Sequence, residues 1–123
     1  MAKMFDNATI LITGGTGSWG RELTKQLLQK YSPKEIRIYA RGEIKHVEMR
    51  RAFNSPKLKF IVGDVRDRDS LVTACRGVDY VFHMAALKHV PVCEENPDEA
   101  VKTNVIGTYN ALGLAKRVRA RIL

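Results

Sequence analysis

The chain has 123 residues, 45% hydrophobic and 28% charged, with a net charge of +8. That is one domain's length at ordinary globular composition, which excludes a disordered chain, and no apolar run is long enough to span a bilayer. The cysteines, Cys75 and Cys93, are too few for a disulfide framework and read as free thiols. The N-terminal apolar run is too short for a secretory signal, so the expectation is a cytoplasmic protein with no membrane partner. Lys116, Arg117, Arg119 and Arg121 supply half of the net positive charge. The remaining excess is too small for a broad basic face, and no nucleic-acid partner is expected.

Short β-branched runs alternate with longer amphipathic segments. Ala8–Thr13 is almost continuously apolar, as in a strand buried on both faces. Ser18–Tyr31 reads as a helix whose stripe is Trp19, Leu23, Leu27 and Tyr31, widened by Leu28; Ser32-Pro33 ends it. Ile36–Ala40 is a second strand. Glu43–Phe53 reads as a helix with Ile44, Val47 and Arg51 on one side, followed by a turn at Asn54-Ser55-Pro56. Leu58–Val62 is a third strand, Asp69–Cys75 a short helix closed by Gly77, and Asp79–Met84 a fourth strand. Asn96-Pro97-Asp98-Glu99 starts a last helix that runs to about Lys116. Strands alternating with helices give an α/β, doubly wound class with a parallel sheet of about four strands.

The strongest motif is Thr13-Gly14-Gly15-Thr16-Gly17-Ser18-Trp19-Gly20, placed between the first strand and the first helix. Glycines at this spacing permit a tight turn, backbone approach to a pyrophosphate at Gly17 and close helix packing at Gly20. Free N–H groups at the helix start then meet phosphate oxygens. No Gly-Lys-Ser/Thr follows, which excludes a P-loop. At the tip of the second strand, Arg41 and Lys45 offer two cations to a 2′-phosphate, which favours NADP over NAD; Glu43 between them keeps NAD open. Asp64, in Gly63-Asp64-Val65, is read as an acceptor for an adenine amine, as an acid satisfying N–H groups of its own turn, or as both at once. Asp64, Asp67 and Asp69 alternate with Arg66 and Arg68 and read as a solvated turn. His46, His83 and His89 lack metal-ligand spacing. His83 reads as a core histidine, and His89 as a candidate contact to a ligand phosphate. Tyr31, Tyr39 and Phe60 read as core.

Taken together, TGGTGSWG, YARGEIK, FIVGDVRDRDSL, VFHMAALKHVP and NPDEAVKTNVIGT resemble the extended short-chain dehydrogenase/reductase superfamily. Within it they resemble the UDP-N-acetylglucosamine 4,6-dehydratases of polysaccharide and flagellin-glycan synthesis, over residues 5 to 115. The resemblance implies the N-terminal half of a Rossmann fold over residues 1–116, with strand order 3-2-1-4 and a basic tail at 117–123. It implies that Gly14, Gly17, Ser18, Trp19 and Gly20 cradle the pyrophosphate, that Arg41 and Lys45 hold the 2′-phosphate, and that Asp64 and Val65 meet the adenine. Ala85 and Ala86 would line the nicotinamide ribose, Asn104 would lie under the cofactor, and Lys88 would face a UDP-sugar. The family reaction oxidises the sugar at C4, eliminates water across C5–C6 and returns the hydride to C6.

The sequence departs from that pattern at three places. Gly42 stands where an Asp usually follows the arginine, and Trp19 where a Phe is usual. The family's Thr-Asp-Lys stretch and Tyr-x-x-x-Lys are missing; Tyr109 is followed four residues later by Gly113. The chain is therefore expected to be a truncated NADP-binding domain without catalytic residues of its own, inactive alone. The alternative is a non-catalytic dinucleotide-binding or oligomerising module. The fourth strand would then be an exposed edge, Tyr80-Val81-Phe82, inviting a homo-oligomer. In the tail, Val118, Ala120 and Ile122 alternate with arginines, a pattern open to a rudimentary fifth strand; a continued helix or frayed tail is the favoured expectation.

Overall fold

The computed structural model describes residues 5–85 and the backbone of 121–122. The elements are β1 (Thr9–Thr13), α1 (Ser18–Lys30), β2 (Glu35–Ala40), α2 (Glu43–Phe53), β3 (Leu58–Val62), α3 (Arg68–Ala74), β4 (Tyr80–His83) and β5 (Arg121–Ile122). The sheet order is β3-β2-β1-β4-β5, and every pairing is parallel. The doubly wound α/β expectation is borne out. The expected helix from Asn96, together with Ala86, Lys88, His89, Cys93, Asn104 and Tyr109, lies outside the described residues.

Alternation along the strands divides the core into two layers. Ile10, Ile12, Ile36 and Ile38 point to one face and pack with Leu27 of α1 and Met49 of α2. Leu11, Tyr39 and Val81 point to the other and pack with Leu71 and Ala74 of α3 and with Cys75, its C-cap. Steps from β1 to β2 to β3 move in one direction, so right-handed crossovers put α1 and α2 on the same face. The step from β3 to β4 runs back past β1, which sends α3 to the opposite face. All five residues of β1 are buried, as expected of a central strand covered on both sides.

The ends of the elements follow local chemistry. Asp67 caps α3 by accepting from Ser70 N at 3.2 Å, so the helix starts earlier than the apolar pattern suggests. Asn54 closes α2 in the left-handed region with φ 45°. Asp79 opens β4 beside β1: its N–H donates to Thr9 O at 2.8 Å, and its carboxylate accepts from Thr9 N at 2.9 Å.

Three expectations are corrected. On α2 the buried residues are His46 and Met49, whereas Ile44 is 75% exposed; the helix is rotated so that its mixed polar face meets the sheet. On α1, Leu23, Leu28 and Tyr31 pack against the core, but Trp19 is 72% exposed because it stands at the open C-terminal end of the sheet. The β4 edge is not bare. Tyr80 pairs with Arg121 and Val81 with Ile122, so these tail residues take the strand reading rather than helix or fray. The ladder groups at Tyr80 and Val81 that would have invited a second chain are thus paired within the chain, which leaves Phe82 of the expected edge outside the β5 pairing.

The α2 rotation is testable by urea denaturation. Met49 is fully buried, so Met49→Ala should cost about 3 kcal/mol. Ile44→Ala should stay within about 0.5 kcal/mol of the parent. Equal losses at the two sites would contradict the observed rotation.

Candidate functional site

At the C-terminal ends of β1 to β4 lies a cleft of about 550 Å³. It opens where the chain leaves β1 toward β2 on one side and where β4 joins on the other, the switch point at which parallel sheets hold ligands. Gly14, Gly17, Ser18, Trp19, Gly20, Arg41, Lys45, Asp64, Val65 and Ala85 all line it. Every expected site residue that the structure describes is therefore in one cleft. Thr16, Tyr39, Ala40, Gly42, Gly63 and Met84 also line it and were not singled out as site residues by the sequence.

The glycine loop forms the floor. Gly14 has φ +66°, and a Cβ there would lie 2.8 Å from Ala85 N, so both backbone conformation and contact require glycine. At Gly20 a Cβ would come within 2.6 Å of Gly15 Cα, which is why α1 can press directly on the loop. Gly17 caps α1 without a side-chain hydrogen bond, and the first turn holds no acid. The helix start therefore presents uncapped N–H groups and the positive end of its dipole to the cleft, a setting suited to an anion.

At the far end, Arg41, Lys45 and Asp64 line the cleft together. Asp64 accepts from Arg66 N and from Arg66 Nε, each at 2.9 Å, while Arg41 stands 3.9 Å away. The turn-satisfying reading of Asp64 holds, and its carboxylate is already engaged by Arg66. Partial burial raises the Asp64 pKa, but the bonds and charge from Arg66, with Arg41, hold it below the ordinary carboxylate value. Tyr39 forms the wall beneath: its hydroxyl donates to Asp64 O at 2.8 Å and lies 3.0 Å from Ser70 Oγ. Burial pushes the Tyr39 phenol up. Gly63 leaves room for this ring, since a Cβ there would fall 2.6 Å from it. The Gly63-Asp64 pair was visible in sequence; its partnership with a tyrosine one strand away was not.

At the Ala85 end, one hydroxyl joins two strands. Thr13 Oγ1 accepts from Met84 N at 3.0 Å and from Ala85 N at 3.3 Å. With both lone pairs used, its proton goes to His83 Nδ1, 2.7 Å away. His83 therefore carries its own proton on Nε2, and the reading of His83 as a satisfied core histidine fits. Burial lowers the His83 pKa. Among the described residues, no cluster of three or more metal-ligating side chains occurs, and no helix is long and apolar enough to cross a membrane.

A family model described as polysaccharide biosynthesis protein matches residues 10–122. The sequence is 51% identical over 109 residues to the inverting UDP-N-acetylglucosamine 4,6-dehydratase of Campylobacter jejuni, covering 89% of this chain and 33% of that protein. It is equally 51% identical, over 115 residues, to a UDP-glucose 4-epimerase of Rickettsia bellii, covering 91% and 34%. Among solved structures, Pen from Bacillus thuringiensis matches with a TM-score of 0.91 at 37% identity, over 96% of this chain and 36% of that one. The dTDP-glucose 4,6-dehydratase DesIV of Streptomyces venezuelae, solved with NAD and TYD bound, matches at 0.82 and 29% identity, over 93% and 38%. The chain spans about a third of the length of the curated relatives it matches.

Two outcomes test the Ala85 end. Thr13→Val removes the Oγ1 acceptor of the part-buried Ala85 N–H and the hydroxyl partner of His83, while Met84 N keeps Thr13 O at 3.1 Å, and should cost about 1 kcal/mol in urea unfolding. Because the His83 pKa is lowered on folding, the unfolded state binds a proton first as pH falls. Stability is then full above the unfolded histidine range, drops as pH falls through it, and levels off once the folded imidazole also protonates. The urea midpoint should fall between about pH 7.5 and about pH 5.5, and His83→Asn should remove part of that fall. A variant with the same fall as the parent would show that His83 is not its source.

Proposed function

The chain belongs to the polysaccharide biosynthesis protein family, and from that premise we propose that its cleft binds a nicotinamide dinucleotide as the cofactor-holding part of a nucleotide-sugar dehydratase or epimerase. One observation carries the reading: a glycine cradle with uncapped helix N–H groups and a pair of cations, Arg41 and Lys45, line opposite ends of one cleft. The cradle suits a pyrophosphate and the cations a 2′-phosphate, so the preferred cofactor is NADP. A dehydratase and an epimerase match this part equally well, at 51% identity. That equality fits a segment that holds the cofactor rather than one that chooses the reaction.

The residues present fit such a group. The N–H groups at Ser18–Gly20 would receive the pyrophosphate, Arg41 and Lys45 the phosphate on the adenosine ribose, and Ala85 would border the nicotinamide ribose. Bound there, the nicotinamide would accept a hydride from a sugar carbon and later return it. With Arg66 held on Asp64, the adenine would meet the Gly63–Val65 backbone and the Val65 side chain. A proton acceptor for the sugar hydroxyl is not supplied by a Tyr-x-x-x-Lys, since none occurs in these 123 residues. Binding without turnover of UDP-N-acetylglucosamine is therefore the activity proposed for this chain by itself.

Titration with NADPH and NADH, followed by the fluorescence of Trp19, tests this directly. Trp19 is the single tryptophan and lines the cleft. Saturable quenching is expected, tighter for NADPH. Arg41→Ala should weaken NADPH by roughly 10- to 100-fold, the size of a lost charge-assisted hydrogen bond, and NADH far less. A folded chain whose fluorescence responds to neither dinucleotide would refute the reading.

A further inference from the structure

The strongest unexplained feature of the cleft's surroundings is His46. It is buried to 2% exposure in a helix face otherwise suited to apolar contact. Its Nε2 lies 2.9 Å from Ala40 O. A carbonyl only accepts, so Nε2 is the donor here, which leaves Nδ1 as the ring nitrogen still to be accounted for. That Nδ1 is buried and has no hydrogen-bond partner among the described residues. A group kept in that condition calls for a reason beyond filling space.

Ala40 O supplies the reason. It accepts from His46 Nε2 and also from Gly63 N at 3.0 Å. This one oxygen thus ties together the end of β2, the end of β3 and the first turn of α2. Each of the three tied residues is the chain neighbour of a charged cleft residue: Ala40 of Arg41, His46 of Lys45, Gly63 of Asp64. The first turn of α2 has little else to fix it. Its N-cap, Gly42, makes no side-chain cap bond, and the His46 N–H to Gly42 O contact is long at 3.4 Å. The imidazole itself is held edge-on against Phe60, centroids 5.7 Å apart, and Arg50 covers the same ring at 5.1 Å.

We propose that His46 is the positioning residue that sets Arg41 and Lys45 relative to each other, and so sets how strongly the cleft prefers a dinucleotide bearing a 2′-phosphate. The inference rests on the dinucleotide reading and goes beyond it. His46 does not line the cleft; it acts through the backbone on either side of the two cations. A bound phosphate needs both at once, whereas a bare ribose needs neither in a particular place. Loss of the bond should therefore act on discrimination more than on binding as such.

The test compares the parent with His46→Leu, which keeps bulk and removes the donor, and His46→Gln, whose amide reaches to a similar distance and restores one. Affinities for NADPH and NADH are read from Trp19 quenching, with circular dichroism as the check of folding. The Leu variant should lose about tenfold for NADPH and change little for NADH, and the Gln variant should recover most of the loss. In the ligand-free chain, amide hydrogen exchange over His46–Met49 should quicken in the Leu variant and not in the Gln variant. Parallel losses for both dinucleotides, an unchanged NADPH to NADH ratio, or a Gln variant that behaves like the Leu one would overturn the proposal. A parent chain that binds neither dinucleotide is a different result: it refutes the functional reading and the discrimination role with it, while the exchange arm still reports whether His46 holds the turn.

Discussion

The complete burial of β1 is the constraint on which the rest of the molecule depends. A strand covered on both faces and paired on both edges has no freedom of register, because a one-residue slip would exchange its two apolar layers. Ile10 and Ile12 serve the α1/α2 face, and Leu11 serves the α3 face. With register fixed, β1, β2 and β4 run in step, Thr13 facing Tyr39 on one side and His83 on the other. The chain must then turn away at Gly14, the point where two neighbouring strands also end. The cleft is the space left by those departures, so its location follows from strand burial before any ligand is considered.

What was legible in the sequence is what the backbone decides locally. The glycine loop has one geometry for its spacing: Gly14 needs positive φ, and Gly20 lies against the Gly15 backbone. The strands are short apolar runs with turn residues at both ends, and their order follows once crossovers are right-handed. Arg41 and Lys45 were found because they sit at a strand tip and one helical turn later, positions fixed by chain connectivity alone.

What was not legible depends on which of several partners a side chain or segment chooses. On α2, Ile44, Val47 and Arg51 make as good a helical stripe as His46, Met49 and Phe53. The choice between them is made by Phe60 and by the Ala40 carbonyl, neither of which belongs to the helix. Asp64 admits two readings by itself; the guanidinium of Arg66, two residues on, turns the carboxylate toward its own turn. The tail at Arg121–Ile122 carries a period-two pattern too short to outweigh helix propensity, and it becomes a strand because β4 offers an open ladder. For α2 and the tail the deciding partner lies on another element, and for Asp64 it is a choice of side-chain direction that spacing alone leaves open.

The two ends of the cleft are built on the same device. Near Ala85, a neutral histidine accepts the one proton of a threonine hydroxyl whose lone pairs hold the β4 end. Near Arg41, a second histidine donates to a carbonyl that also holds the β3 end. Both imidazoles sit behind the surface that a ligand would touch, and each fixes the backbone from which contact groups project. The consequence is a separation of tasks. In the proposed reading, the N–H groups at Ser18–Gly20 and the positive helix end would fix where an anion goes, because they belong to the backbone and cannot be retuned by a rotamer. The side chains at the ends would then decide which anion is favoured, and they stand on hydrogen-bonded junctions that a single substitution can loosen. The cleft thus has a floor fixed by backbone and ends set by side chains, and only the ends can be changed by a single side-chain substitution without moving the strands.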